Sequence, residues 1–125
     1  MNVLVASSSL VARPLIAALI ATKKHEFRGL ITNPDKATGR GMQIEANELA
    51  VWASHKNISV FKPETNDDLK SYLLSMKIDL VITIAYGKLI PQDLLHLPGY
   101  GWINVHFSKL PKWRGAAPVQ WAILS

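Results

Sequence analysis

Short apolar runs alternate along the chain with longer segments in which apolar residues recur at helical spacing. The runs have the length and composition of strands that are buried on both faces of a parallel sheet. They lie at residues 2–6, 27–31, 58–61 and 79–85 and from residue 102 onward. The helical segments lie at residues 10–22, 44–55, 65–76, 91–97 and 116–124. This alternation predicts an α/β fold with a doubly wound, mainly parallel sheet and right-handed crossovers.

Composition narrows the class of protein only a little. A length of 125 residues allows one domain, and a hydrophobic content of 49% is ordinary for a globular α/β protein. The formal charge of +5 permits an anionic partner such as nucleic acid. The chain has no cysteine, which excludes disulfides and thiolate zinc sites, and its four histidines are scattered, so we expect no metal site.

The N-terminus gives no targeting signal. It lacks a basic region before its first apolar run, and Arg13 and Pro14 interrupt the apolar residues that follow. The longest later apolar run, residues 15–21, is far too short to span a membrane. We therefore expect a soluble, cytoplasmic protein with no membrane partner.

The last predicted strand carries a carboxamide and an imidazole two residues apart, Asn104 and His106. Residues i and i+2 of a strand lie on the same face, and ligands of α/β sheets bind at the carboxyl ends of the strands. An amide donor beside a ring that accepts and donates protons suits stabilising and protonating a developing oxyanion. The alternative is a strand end whose two polar residues are satisfied by the next loop, and spacing alone does not decide between the two.

Two loops at other strand ends also carry polar residues. Residues 7–9 are serines without a glycine, so they form no known phosphate-binding motif, and helix capping explains them equally well. The loop at 33–41 contains Lys36, and its Arg40 stands between two glycines. Arg40 could reach a phosphate or a nucleic-acid backbone, although composition alone favours a solvated, flexible loop.

Three motifs resemble one known family. Asn104-Val105-His106 is followed by Ser-Lys-Leu-Pro at 108–111 and by Trp-Arg-Gly-Ala-Ala-Pro-Val-Gln at 113–120. This run closely resembles the signature of methionyl-tRNA formyltransferase. The stretch Ala-Tyr-Gly-Lys-Leu-Ile-Pro at 85–91 and the loop at 33–41 are also similar to that family, in the same order and over nearly the whole chain.

The resemblance implies a Rossmann-like formyltransferase fold. It implies transfer of a formyl group from 10-formyltetrahydrofolate to the amine of methionyl initiator tRNA, with Asn104 and His106 as the catalytic pair. The implied folate-binding residues are Tyr86, Gly87, Leu89, Ile90, Ser108, Lys109, Leu110 and Pro111. Lys109 departs from the leucine of the family, and residues 7–9 depart from its usual Gly-Thr-Pro-Glu-Phe. The implied tRNA-binding residues are Lys36 and Arg40.

The family also uses an aspartate some tens of residues beyond the histidine, and a C-terminal tRNA-binding domain. Neither is found within residues 1–125, so we expect an N-terminal part of a formyltransferase, truncated on its C-terminal side. The expected partners are initiator methionyl-tRNA and folate. We expect a monomeric parent protein, with possible self-association of a truncated chain through an exposed sheet edge. The alternatives are a formyltransferase acting on glycinamide ribonucleotide or an amino-sugar nucleotide, or a catalytically dead folate- or RNA-binding remnant.

Overall fold

A five-stranded parallel sheet forms the centre of the computed structural model of the chain, which describes residues 1–39, 41 and 43–106. The strands, with two shorter ones outside this sheet, are β1 (Asn2–Ala6), β2 (Glu26–Ile31), β3 (Lys36–Thr38), β4 (Gln43–Glu45), β5 (Val60–Phe61), β6 (Leu80–Ile84) and β7 (Trp102–Val105). The order across the sheet is β5-β2-β1-β6-β7, and every neighbouring pair is parallel. The predicted parallel sheet is therefore confirmed.

Helices cover both faces of this sheet. The helices are α1 (Arg13–Ala21), which follows a short 3-10 turn (Leu10–Ala12), α2 (Glu48–His55), α3 (Asn66–Met76) and α4 (Gln92–Leu95). Helices α1 and α2 pack on one face through Ile16 and Leu49. Helices α3 and α4 pack on the other face through Leu69 and Leu94. The fold is thus doubly wound, as the alternation of strands and helices predicts.

Strand β1 lies in the middle of the sheet and connects the two halves of the core. Its side chains alternate between the faces, so that Leu4 packs with α3 and α4 whereas Val5 packs with α1 and α2. Both side chains are fully buried. Complete burial of a Val or Leu side chain contributes about 1.5–3 kcal/mol, which explains why this strand contains only apolar residues after Asn2.

The start of α3 is capped by a side chain that the sequence identifies, whereas α1 begins without a side-chain cap. Helix α3 starts with a capping box, in which the Asp68 N–H donates to Thr65 Oγ1 at 3.1 Å and the Thr65 N–H donates to Asp68 Oδ2 at 3.0 Å. Of the two predicted caps, Thr65 and Asn66, the structure thus selects Thr65. Pro14 lies in the first turn of α1, as predicted, where no backbone donor is needed.

A hairpin corrects the sequence-based prediction at residues 33–55. The helix predicted from residue 44 begins at Glu48, and β4 pairs instead with β3 in an antiparallel ladder. Ile44, which would have been the first apolar residue of that helix, is 74% exposed. Asn47 starts the helix because its Oδ1 accepts a hydrogen bond from the Ala50 N–H at 2.8 Å. A capping side chain therefore determines the boundary here, and the apolar pattern misplaces it.

The strand order creates a switch point between β1 and β6. The chain runs outward from β1 through β2 to β5 and then returns to the other side of β1 to form β6 and β7. Ligands of such sheets bind beyond the carboxyl ends of the strands at this point. None of the helices in the described part of the chain is long and apolar enough to span a membrane.

Gly29 lies where β2 packs closely against Ser59, the residue before β5. Its φ is +145°, and the register between β1 and β2 shifts beside it. A methyl group added at Gly29 would lie 2.8 Å from the carbonyl oxygen of Ser59, which accepts a hydrogen bond from the Leu30 N–H at 2.9 Å. A side chain at this position therefore disturbs both the backbone and the pairing of β2 with β5.

We predict that Gly29→Ala lowers the free energy of unfolding by about 1–3 kcal/mol, because it adds a clash to an unfavourable backbone angle. Gly39→Ala is the control for a positive φ without a close contact, since Gly39 has a φ of +70° and no atom lies within 4 Å of its added methyl group. Urea denaturation of both variants measures the difference. Equal losses would show that backbone strain alone is responsible, without the contact to Ser59.

Candidate functional site

Asn104 lies at the carboxyl end of β7, on the edge strand among the described residues. It pairs with Thr83 of β6, and the Thr83 hydroxyl donates a hydrogen bond to Asn104 Oδ1 at 2.8 Å. Asn104 is exposed, whereas His106, two residues later, is partly buried. The structure thus brings the predicted amide to the ligand edge of the sheet. Since β7 ends at Val105, a common face for Asn104 and His106 stays a prediction.

The loop after β6 turns sharply at Ala85, which has a φ of +49°. Such an angle is uncommon for a residue with a side chain. Tyr86 then points into the core and is only 4% exposed, and this burial raises the pKa of its hydroxyl. Leu89, three residues later, is 97% exposed. One part of the loop is therefore held by the core, while the other presents an apolar side chain to solvent.

A cleft of about 270 Å³ lies between this loop and the start of α3. It is lined by Tyr86, Leu89 and Ile90 on one side and by residues from Pro63 to Asn66 on the other. Three of the four residues that the resemblance implies for folate binding in this loop thus meet at one cleft; the fourth, Gly87, is not among its lining residues. The volume is slightly below the usual range for small-molecule sites, which begins at about 300 Å³.

A polar network that the sequence analysis did not identify supports the same edge. Asn33 Nδ2 donates to Ser8 Oγ at 2.5 Å and to the Tyr86 carbonyl oxygen at 3.2 Å. Asn47 Nδ2 donates to Thr32 Oγ1 at 2.9 Å, and Thr32 Oγ1 lies 3.4 Å from Ser8 Oγ. These contacts connect the ends of β1 and β2 with the loop after β6 and the cap of α2. The one sequence signal for this network was the polar pair Thr32-Asn33 directly before Pro34.

The three serines after β1 mainly shape the turn into α1. Ser9 Oγ accepts a hydrogen bond from the Val11 N–H at 3.3 Å, and Ser7 Oγ accepts one from the Ser9 N–H at 3.2 Å. Ser9 thus caps the 3-10 turn, as the capping interpretation predicts, whereas α1 itself begins without a side-chain cap. Ser8 instead contributes to the polar network, and its N–H donates to the Ala85 carbonyl at 3.2 Å.

The hairpin of β3 and β4 carries the implied tRNA-binding Lys36, which is exposed. An ion pair connects the base of the hairpin to the end of β5, with Lys62 Nζ 2.6 Å from Asp35 Oδ1. Because both side chains are about one-third exposed, at 32% and 38%, this pair contributes at most about 1 kcal/mol to stability. The pair joins the residue before β3 to the residue after β5.

Several predicted residues lie outside the described part of the chain. They are Arg40, Ser108, Lys109, Leu110, Pro111 and the predicted helix at 116–124. Among residues 1–39, 41 and 43–106, no three histidine, aspartate or glutamate side chains come together in a way that could hold a metal ion.

The whole chain, residues 1–125, matches the formyl transferase family. The chain belongs to that family. Curated relatives support the resemblance seen in the motifs. A methionyl-tRNA formyltransferase of Thermobifida fusca is 44% identical over 99% of the chain, and one of Salinispora arenicola is 40% identical over 99%. The chain spans 40% and 41% of the length of these two relatives, respectively.

Solved structures of formyl transferases share the fold. A phosphoribosylglycinamide formyltransferase from Bacillus halodurans superposes with a TM-score of 0.77 at 20% identity, and the match covers 99% of this chain and 65% of that one. A glycinamide ribonucleotide transformylase from Geobacillus kaustophilus gives 0.73 at 19% identity, over 98% and 65%. The predicted Rossmann-like formyl transferase fold is confirmed by these similarities.

We predict that Asn33→Asp lowers the free energy of unfolding by about 1–3 kcal/mol. The change replaces the Nδ2 donor with a carboxylate oxygen that faces the Tyr86 carbonyl, so two acceptors meet. Asn33 Oδ1 is itself buried and accepts no hydrogen bond from the described residues, so the new charge gains no compensating donor there.

Asn66→Asp is the matched control for this variant. It makes the same chemical change at the exposed first residue of α3, where a negative charge is favourable. Urea denaturation of both variants is the measurement. An equally small effect at both positions would mean that the contact of Asn33 with Tyr86 does not restrain the loops.

Proposed function

We propose that the protein carrying this chain transfers a formyl group from 10-formyltetrahydrofolate to the α-amine of methionyl initiator tRNA in the cytoplasm. The observation that carries the proposal is the position of Asn104, an amide at the carboxyl edge of a formyl transferase sheet. Relatives named methionyl-tRNA formyltransferase, 39–44% identical over nearly the whole chain, support this acceptor over others.

Asn104 would act as a hydrogen-bond donor in this reaction. When the amine attacks the formyl carbon, negative charge grows on the formyl oxygen, and the Asn104 NH2 group can donate to it. Loss of one such donor typically raises the barrier by about 2.7–4 kcal/mol. His106 would exchange the proton of the attacking amine, because an imidazole both accepts and donates protons.

Folate would bind at the loop after β6. The bound folate supplies the formyl group. The nearly fully exposed Leu89 offers an apolar surface beside the cleft that Tyr86 and Ile90 also line, and this fits a flat heteroaromatic ring. Gly87 and residues 108–111 complete the proposed folate site by resemblance. In this role the buried Tyr86 would support the loop from the core side.

The hairpin would contact tRNA. Lys36 on β3 is exposed, and Arg40 stands in the segment between the two strands. Cationic side chains neutralise phosphates without reading sequence, so these residues would position the acceptor end. The anchoring ion pair of Lys62 and Asp35 would keep the hairpin from moving freely.

A glycinamide ribonucleotide acceptor is the second candidate, because the solved enzymes with this fold are named for that substrate. Transfer assays with both acceptors on the purified protein separate the two. The same assay tests the remnant hypothesis, since a catalytically dead protein would bind folate or RNA without turnover.

For Asn104→Ala in the complete protein, we predict a fall in kcat of about 10²–10³-fold with little change in KM, because the donor acts mainly on the transition state. Ile103→Thr is the control, since Ile103 is the exposed neighbour on the opposite face of β7. Steady-state formylation kinetics measure both. An effect confined to KM would remove Asn104 from this role.

For Lys36→Ala, we predict a rise of about three- to tenfold in KM for tRNA, with a weaker dependence of binding on salt and unchanged folate affinity. Lys24→Ala removes the same charge from an exposed residue just before β2, at the amino ends of the strands. This variant should have no such effect. Filter binding of tRNA at several salt concentrations tests the difference. Parallel losses of tRNA and folate binding would indicate misfolding.

A further inference from the structure

Thr83 is a hydroxyl in a strand that is otherwise entirely apolar. Strand β6 reads Leu-Val-Ile-Thr-Ile, and Thr83 is 9% exposed, at the boundary of the core. Its cross-strand neighbour is Asn104. A β-branched apolar residue would fill the same space without needing a hydrogen-bond partner, so the hydroxyl calls for an explanation beyond packing.

The hydroxyl of Thr83 has two acceptors within reach but only one hydrogen. Asn104 Oδ1 lies 2.8 Å from Thr83 Oγ1, and the Ile103 carbonyl oxygen lies 3.4 Å away. The shorter distance is typical of an O–H···O hydrogen bond, whereas the longer one is at the limit. The Thr83 hydrogen therefore goes to the Asn104 amide oxygen.

This contact orients the amide. The terminal torsion of an asparagine is broad and roughly two-fold, so an exposed amide without a partner populates both orientations. Among residues 1–39, 41 and 43–106, Thr83 provides the only side-chain hydrogen bond to Asn104. With Oδ1 on this hydrogen bond, the NH2 group has no hydrogen-bond acceptor among the described residues and can serve as a donor.

We propose that Thr83 is a positioning residue that fixes the Asn104 amide with its NH2 group facing the substrate. The proposal rests on the proposed function, because it deepens the role assigned there to Asn104. A donor that is already oriented needs no reorganisation when charge develops on the substrate oxygen, and such preorganisation is what makes a hydrogen bond catalytic.

Three substitutions in the complete protein test this. Thr83→Val keeps the shape and removes the hydroxyl, Thr83→Ser keeps the hydroxyl and removes the methyl group, and Thr83→Ala removes both. We expect Thr83→Val and Thr83→Ala to lower kcat by about ten- to a hundredfold, while KM for both substrates stays within about twofold of wild type. The kcat and KM of Thr83→Ser should stay near the wild-type values.

Two kinetic outcomes would overturn the proposal. A Val variant with wild-type or higher kcat would mean that the amide presents Nδ2 to Thr83, or that its orientation does not matter. If Thr83→Ser and Thr83→Ala lose activity while Thr83→Val keeps it, the threonine acts only through the packing of its methyl group.

A second measurement does not depend on activity. The side-chain amide resonance of Asn104, assigned by its loss in Asn104→Ala, should shift or broaden in Thr83→Val and keep its position in Thr83→Ser. If it responds in this way while the wild-type protein formylates neither acceptor, the proposed function fails and the positioning of the amide stands. If the wild type is active while Thr83→Val changes neither resonance nor kcat, the positioning role fails alone.

Discussion

The parallel pairing of β1 with β6 is the constraint on which the rest of the structure depends. Because both strands run in the same direction, their carboxyl ends lie at one edge, and the segments that follow them must meet there. The hydrogen bond from the Ser8 N–H to the Ala85 carbonyl is the direct result. Burial of Leu4 and Val5 on opposite faces holds this pairing in place, so the core determines where the candidate site can form.

The edge so formed combines restrained loops with exposed side chains. Backbone groups beyond the last strand pairs need partners, and Asn33 provides one for the Tyr86 carbonyl. The left-handed angle at Ala85 costs about 1–3 kcal/mol, which the buried Tyr86 ring helps to offset. Leu89 and Asn104 take no part in this support and remain exposed. Support of the loops and exposure to solvent thus fall to different residues of the same short segments.

The sequence predicts the sheet, the described helices apart from the start of α2, and the position of Asn104, because each has a local pattern. Apolar runs, capping residues and the spacing of strand residues are all read within a few positions. The hairpin was missed since its strands have three exposed residues each and no apolar periodicity. Thr83 and Asn33 were missed for another reason. Their partners lie 21 and 53 residues away, and the register that joins them is a property of the folded sheet.

Different parts of the fold hold the Asn104 amide and the hairpin. The Asn104 amide is fixed by two strands of the central sheet, whereas the hairpin is connected to that sheet by short segments and one partly exposed ion pair. Structures only 19–20% identical keep the same fold, so most side chains can differ while the sheet persists. A change in the hairpin need not alter β6 or β7. The position of Asn104 therefore depends on the central sheet and not on the peripheral hairpin.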